Sequence, residues 1–412
     1  MAKWTVLEPA TMPQRSVNKM ESMFHRRSNA PANKTPLKMA IGDPTFDGNL
    51  VTPDSTTAAV VHSLESNKYN GYSPTAGRPE ARQAVAQYWA QRFAGKQAAH
   101  CKADNVVLSC GVSEALLIVL TSLCDEGDNV LIPMPCFPHY DYLSDLYAIE
   151  TRHYTCSGDN NWEIDFDHLR SLADGRTKAI LMTNPSNPCG SNFSRKHVEG
   201  LIRVCEELQL PLIADEIYAG LVFSGESFTS VADFDTPVPR FVVGGLSKRF
   251  NVPGYRFGWV LAVDRDGYGA KIWKGVHSMA ARCLMPNSLI QHAAVKALAE
   301  TPRSYYEDCA KRMEEGAMVM YSGLVNCAGL KPVRPRGSMF LSVILDFGEL
   351  EDAIQTDAQF AKKLAEEENV HVFPGEPFKM PGALRITVTR PLPLLQDAVS
   401  RIRAFCERHR RC

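Results

Sequence analysis

The chain has 412 residues, 45% of them hydrophobic and 22% charged, with a formal net charge of −1. That length exceeds one ordinary core and predicts two domains, while the near-neutral balance excludes the electrostatic footprint of a nucleic-acid or anionic-membrane binder. No apolar run approaches the roughly 20 residues of a membrane span, and the 12 cysteines include no Cys-x-x-Cys pair and no zinc-type Cys/His spacing, so they read as reduced, mostly buried thiols of a cytoplasmic protein without a metal.

The opening stretch mixes Arg15, Lys19, Arg26 and Arg27 with Ser, Pro, Glu8 and Glu21 and lacks a secretory apolar core. It reads as an arm without a core of its own; a mitochondrial transit segment is the alternative. Met39 to Thr45 ends a short apolar element in a turn, Tyr69 to Gly77 is a loop, and Pro79 opens a helix carrying Ala84, Val85, Tyr88, Trp89 and Phe93 at helical spacing. From Asn105 the texture alternates. Strands are predicted at Val106 to Leu108, Val130 to Ile132, Thr151 to Tyr154, Ala179 to Met182, Leu212 to Ala214 and Phe241 to Val243, with helices at Ala115 to Leu123, Tyr142 to Ala148, Phe166 to Leu172 and His197 to Leu208. This alternation argues for an α/β fold with a mostly parallel central sheet covered on both faces. Trp259 to Val263 follows too closely for a crossover and is expected as an antiparallel member. Lys271 to Ala299 reads as one long helix, and the strands Phe340 to Leu345 and Leu384 to Val388 with helices at Ala358 to Glu367 and at the C-terminus suit a smaller α+β domain. The expected division is 1–48 for the arm and part of the small domain, 49–300 for a large domain and 301–412 for the small one. The basic tail reads as the solvated end of the last helix.

In such sheets ligands sit beyond the carboxyl ends of the strands. Gly111-Val112-Ser113 opens a helix there and suits a phosphate, although Ser113 is equally an N-cap. The loop Pro135 to Tyr140 offers an aromatic ring, and Asn184 to Gly190 is either a tight turn or an amide aimed at a ligand. Asp215 ends a doubly buried strand and needs a partner: a protonated ring nitrogen, an arginine or a helix end. Lys248 follows two glycines among apolar residues, where lost solvation would lower its pKa and free a nucleophilic amine; a surface lysine in a loop is the alternative. Arg256 lies eight positions on. Arg385 sits inside an apolar strand, where a guanidinium is either ion-paired or a grip for a carboxylate.

The ordered set Ile41-Gly-Asp-Pro-Thr45, Lys68-Tyr-Asn-Gly-Tyr72, Asn184-Pro-Ser-Asn-Pro-Cys-Gly190, Asp215-Glu-Ile-Tyr218, Ser247-Lys-Arg249, Val252-Pro-Gly-Tyr-Arg256 and Pro335-Arg-Gly-Ser-Met-Phe340 resembles the fold-type I aminotransferases that use pyridoxal 5'-phosphate, and more narrowly the tyrosine aminotransferase group. The resemblance implies that Lys248 is the Schiff-base lysine, Asp215 pairs with the pyridinium nitrogen, Asn187 and Tyr218 hold the ring's 3'-oxygen and Tyr140 stacks on the ring. Gly111, Val112, Ser113, Ser247 and Arg256 are implied to bind the phosphate, and Arg385, helped by the backbone of Gly42 and by Asn187, the substrate carboxylate. Arg385 is preferred to Arg390, which by alternation points to the opposite face. Tyr72 is implied to reach the phosphate of a neighbouring subunit, which makes the active unit a homodimer. Val112 and Tyr255 depart from the usual pattern, where a small or polar residue and Trp are common. The implied activity moves the amino group of aromatic L-amino acids, with Met or Leu tolerated, to 2-oxoglutarate, pyruvate or another 2-oxo acid. A carbon–sulfur lyase, a cyclopropane-forming synthase, an alanine or aspartate aminotransferase and a non-catalytic cofactor-binding regulator are the rival readings.

Overall fold

Mostly apolar runs form the middle strands of the central sheet of the computed structural model, which describes residues 9–18 and 31–411. The strands are, in chain order, β1 (Leu37–Lys38), β2 (Val106–Ser109), β3 (Asn129–Met134), β4 (Glu150–Ser157), β5 (Glu163–Ile164), β6 (Thr177–Thr183), β7 (Leu212–Asp215), β8 (Arg240–Gly245), β9 (Gly258–Val263), β10 (Leu330–Pro332), β11 (Phe340–Leu345), β12 (Val370–His371), β13 (Phe373–Pro374) and β14 (Ala383–Thr387). Eight of them make one sheet in the order β2-β9-β8-β7-β6-β3-β4-β5. The pairs β8-β7-β6-β3-β4 are parallel, and β9 runs antiparallel to both neighbours, as its short connection requires.

A strand's side chains alternate between faces even where every one is apolar. Ile180 and Met182 of β6 join one core with Leu212, Ala214 and Val242, while Ala179 and Leu181 join another with Ile213, Phe241 and Val243. Two apolar layers therefore hold the strand ends rigid. A second sheet, β10-β11-β14-β13, is wholly antiparallel and shares its core with the helices Arg303–Leu324 and Leu392–Arg408. The parallel pair β1-β12 ties Leu37 to Val370, and Leu37, Met39 and Leu50 pack into that second core.

The expected single helix over 271–299 is two helices, Ala270–Ala280 and Ser288–Glu300. Between them Leu284 takes φ of 63°, Pro286 cannot donate to a helical ladder, and the Asn287 side chain accepts from the N–H groups of Leu289 and Ile290 to start the second helix. The long helix is Arg303–Leu324, at 22 residues. Of the expected arm, Arg15 bonds the Leu146 carbonyl and Glu126, and Ser16 bonds Asp145. Lys19, Arg26 and Arg27, with Glu8 and Glu21, lie outside the described residues. Among the described residues no helix is long and apolar enough to cross a membrane.

Glu216 follows Asp215 into the other face of the sheet, where it accepts from Ser230 Oγ at 2.6 Å and the Val231 N–H at 2.8 Å. Burial pushes its carboxyl from 4.5 up to about 8. A carboxyl raised on folding stabilises the fold while protonated, so this contribution is present below 4.5 and is lost as pH rises towards about 8. Glu216→Gln should make the dependence of Tm on pH shallower across that window; a slope equal to wild type in a calorimetric pH series would contradict the assignment.

Candidate active site

The carboxyl ends of β2, β6, β7 and β8 open on a cavity of about 320 Å³. At its floor, β7 ends in Asp215, only 4% exposed. Tyr140 donates its hydroxyl to Asp215 Oδ2 at 2.7 Å, the Ile217 N–H bonds Oδ1 at 3.2 Å, and the Thr183 hydroxyl lies 2.6 Å from Tyr140 Oη. Burial raises the Asp215 carboxyl to about 6, against the lowering effect of these two hydrogen bonds. Asp215 has no cationic partner within the chain's ion pairs among the described residues, which leaves it fit for a cation brought by a ligand.

Beyond β8 a short turn of helix, Leu246–Arg249, carries Lys248 into the same cavity. Its Nζ donates to the Gly42 carbonyl at 2.6 Å. Burial lowers the amine from 10.5 to about 8; Asp43 opposes that shift, and Arg385 and Arg256 add to it. An appreciable fraction of neutral amine is therefore present near neutral pH, as a nucleophile requires.

At one end of the cavity β2 passes through Gly111, the N-cap of the helix Val112–Leu123. Gly111 has φ of 83°, and a Cβ there would stand 2.5 Å from Arg256 Nη2, so glycine is required for the guanidinium to close over this helix start. Arg256 bonds the carbonyls of Pro253 and Cys110 at 3.1 and 3.2 Å. Ser113 is not the N-cap. It lies one position into the helix and lines the cavity with Val112 and Ser247. Backbone N–H groups, hydroxyls, a helix start and an arginine together suit a phosphate.

At the other end β14 brings in Arg385, 1% exposed. Its guanidinium donates to Asn187 Oδ1 at 3.0 Å and the Ala40 carbonyl at 2.7 Å, leaves Nε without a partner, and lies 4.3, 5.1 and 4.5 Å from the ring centres of Phe340, Phe373 and Phe378. Burial depresses its pKa to about 9. Its polar partners among the described residues are neutral, and a buried guanidinium in that state is a receptor awaiting an anion. Arg390 instead bonds the carbonyls of Lys38, Ile41 and Asp43 and pairs with Asp47 at 3.6 Å.

Most expected residues meet here: Gly42, Val112, Ser113, Tyr140, Asn187, Asp215, Tyr218, Ser247, Lys248, Arg256 and Arg385 all line the cavity, with Gly111 against Arg256. Tyr72 does not; it is 85% exposed on the surface of its own chain. Tyr140, expected as a stacking ring, has its hydroxyl committed to Asp215 and its buried ring edge-on to Phe137, centroids 5.8 Å apart at 88°. Phe137, half-buried and lining the cavity, presents the available aromatic face. The signal was in the sequence: Pro138 follows Phe137 directly and starts the helix His139–Leu146, so the aromatic before that proline stays in the loop while Tyr140 turns inward on the first helical turn. Thr183 was not singled out, because an ordinary strand end carries no mark of its neighbours, and Phe340 stood only as the end of a motif. Arg282 is exposed, bonds Tyr147 Oη at 3.0 Å and stays out of the cavity.

A mostly parallel sheet with a small antiparallel companion, and a lysine, a carboxylate and a guanidinium between them, place the chain in the fold-type I transferase class. Residues 34–402 match the model of aminotransferase class I and II, and the chain belongs to that family. It is 37% identical to a mouse tyrosine aminotransferase over all of this chain and 89% of that protein, and 35% identical to the human one with the same coverage. A crystal structure of tyrosine aminotransferase from Leishmania infantum superposes with a TM-score of 0.96 at 40% identity, covering 99% of this chain and 100% of that one. An alanine aminotransferase from Pyrococcus furiosus follows at a TM-score of 0.90 and 25% identity, covering 98% and 100%.

Tyr140→Phe removes a hydroxyl that lowers the Asp215 pKa, so that carboxyl should titrate above about 6 in the variant. A carbon-13 titration of aspartate-labelled protein reads it, and an unchanged Asp215 curve would show that the hydroxyl does not act on the carboxylate.

Proposed function

We propose that the protein is an aminotransferase that uses pyridoxal 5'-phosphate and carries the amino group of aromatic L-amino acids, tyrosine foremost, to a 2-oxo acid such as 2-oxoglutarate or pyruvate. The observation that carries this reading is the placing of one amine of lowered pKa, Lys248, in a cavity with a buried guanidinium lacking an anion and a buried carboxylate lacking a cation. When bound, the cofactor supplies an electron sink for the carbon next to the amine.

The remaining chemistry belongs to the chain. The helix start at Gly111 to Ser113, with Ser247 and Arg256, would hold the phosphate; Phe137 would cover a face of the ring, and Asn187 and Tyr218 would meet its hydroxyl. Asp215, braced by Tyr140, would keep the ring nitrogen protonated. Arg385 would grip the α-carboxylate beside the Gly42 backbone, and so fix the substrate's α-carbon with respect to Lys248. The freed Lys248 amine, titrating near 8, would take the α-proton and return it one position along. Ile41, Ile217 and Phe340 give the substrate side chain an apolar wall. That favours an aromatic group over an acidic one, and the names of the relatives point the same way. The exposure of Tyr72 supports a homodimer in which it completes a neighbour's phosphate site, and the free, mostly buried cysteines support a reducing, cytoplasmic address.

The purified protein, loaded with cofactor, should convert tyrosine to its 2-oxo acid when 2-oxoglutarate is supplied. Release of ammonia or of a cleaved side chain in place of amino transfer would overturn the reading. Lys248→Ala should cost at least about 10³-fold in kcat. Arg385→Gln should raise KM for the amino acid by about 10- to 100-fold at unchanged cofactor content, the scale of one charge-assisted contact; an unchanged KM would remove Arg385 from the carboxylate site.

A further inference from the structure

Cys136 joins β3 to Phe137, Asp141 lies on the helix His139–Leu146, and His153 sits on β4, in parallel register with Ile132 of β3. The Cys136 Sγ, an Asp141 carboxylate oxygen and a His153 ring nitrogen all lie within 4.8 Å of one another. His153 Nε2 stands 2.9 Å from Asp141 Oδ1, and Thr151, on the same face of β4, donates its hydroxyl to that oxygen at 2.8 Å. Ligand atoms of a tetrahedral zinc-type site are about 3.4–3.6 Å apart. With every pair inside 4.8 Å, each separation is within about 1.4 Å of that range. A cavity of about 110 Å³ lined by Pro138, Asp141, Thr151 and Lys379, among others, opens beside Asp141 and gives an entry path with room for water.

We propose that Cys136, Asp141 and His153 form a binding site for a soft divalent cation of the zinc class, with water as the fourth ligand. The thiolate selects against magnesium and calcium, and one imidazole with one carboxylate completes a borderline-soft set. Burial holds the Cys136 thiol well above its ordinary pKa, but coordination deprotonates a thiol outright. The thiol proton is therefore released to solvent on binding, His153 Nε2 changes from donor to ligand, and affinity rises with pH. Lys379 is the cation that faces the site, 3.9 Å from Asp141 Oδ2; its side chain is 39% exposed and free to swing into solvent. Cys136 is covalently next to Phe137 and Asp141 next to Tyr140, so the cation braces from outside the cavity two of the aromatic residues that line it. The site stands whether or not the function proposed above is right.

Cobalt(II), titrated into the full-length cofactor-loaded protein, tests this through the ligand-field bands of tetrahedral cobalt, at wavelengths longer than cofactor absorption. The wild type should bind one equivalent. Cys136→Ser and His153→Gln should each weaken binding by at least about tenfold, Cys283→Ser, which alters an exposed thiol, should leave it unchanged, and Lys379→Asn should tighten it. Absence of tetrahedral bands in the wild type, or bands that survive Cys136→Ser, overturns the proposal. If Cys136→Ser does not fold, His153→Gln decides, and unchanged affinity in that variant overturns it.

Discussion

Charge held away from water with no opposite charge beside it is the constraint on which the site depends. Arg385 is packed among three phenyl rings and bonded to neutral oxygens, Lys248 donates to a carbonyl, and Asp215 accepts from a phenol. Desolvation drives each towards neutrality: the guanidinium to about 9, the amine to about 8 and the carboxyl to about 6. An isolated buried ion of this kind is costly. A ligand with a carboxylate for Arg385 and a protonated nitrogen for Asp215 relieves two of these strains at once, so affinity and orientation come from the same groups.

Such an arrangement survives because the groups stand on rigid supports. Asp215 and Lys248 rise from adjacent parallel strands, locked between two apolar layers. Arg385 comes from the other sheet, so the gap between amine and guanidinium is set by how the two sheets meet. Backbone contacts join them, among them the antiparallel bridge between Val222 and Gly337, with the Ser338 N–H on the Leu221 carbonyl at 2.8 Å and the Phe223 N–H on the Arg336 carbonyl at 2.9 Å, and the Arg336 N–H on the Gly190 carbonyl at 2.7 Å. The motif Pro335 to Phe340 thus joins the two sheets and also brings Phe340 to the cavity. The chain before β2 takes part too, since Gly42 and Ala40 supply the carbonyls on which Lys248 and Arg385 rest.

The alternation from Asn105 onward was legible because continuous apolar strands and amphipathic helices differ in period, and the antiparallel placing of β9 followed from a connection too short for a crossover. The break at Pro286 is equally local chemistry, hidden by apolar residues on either side of it. Legibility ended where two candidates shared a stretch. Phe137 and Tyr140 are three residues apart, and both are aromatic; only the packing turns one ring to the cavity and the other's hydroxyl to Asp215. The same limit applies to Cys136, Asp141 and His153, whose spacing matches no metal motif because a helix and a neighbouring strand bring them together.

The sequence by itself determined the layered α/β architecture, the glycine at 111, the lone lysine among apolar neighbours and the arginine inside an apolar strand at 385, because each follows from local backbone freedom or from the solvation of a single side chain. Only the tertiary structure decided that Arg390 is spent on carbonyls and Asp47 and that the Tyr140 hydroxyl is spent on Asp215. Only it set Glu216 apart from Asp215 on the far side of one strand. Those outcomes depend on which atoms lie within about 3 Å across sheets far apart in the chain, the range over which a hydrogen bond acts, and no spacing along the sequence encodes that distance.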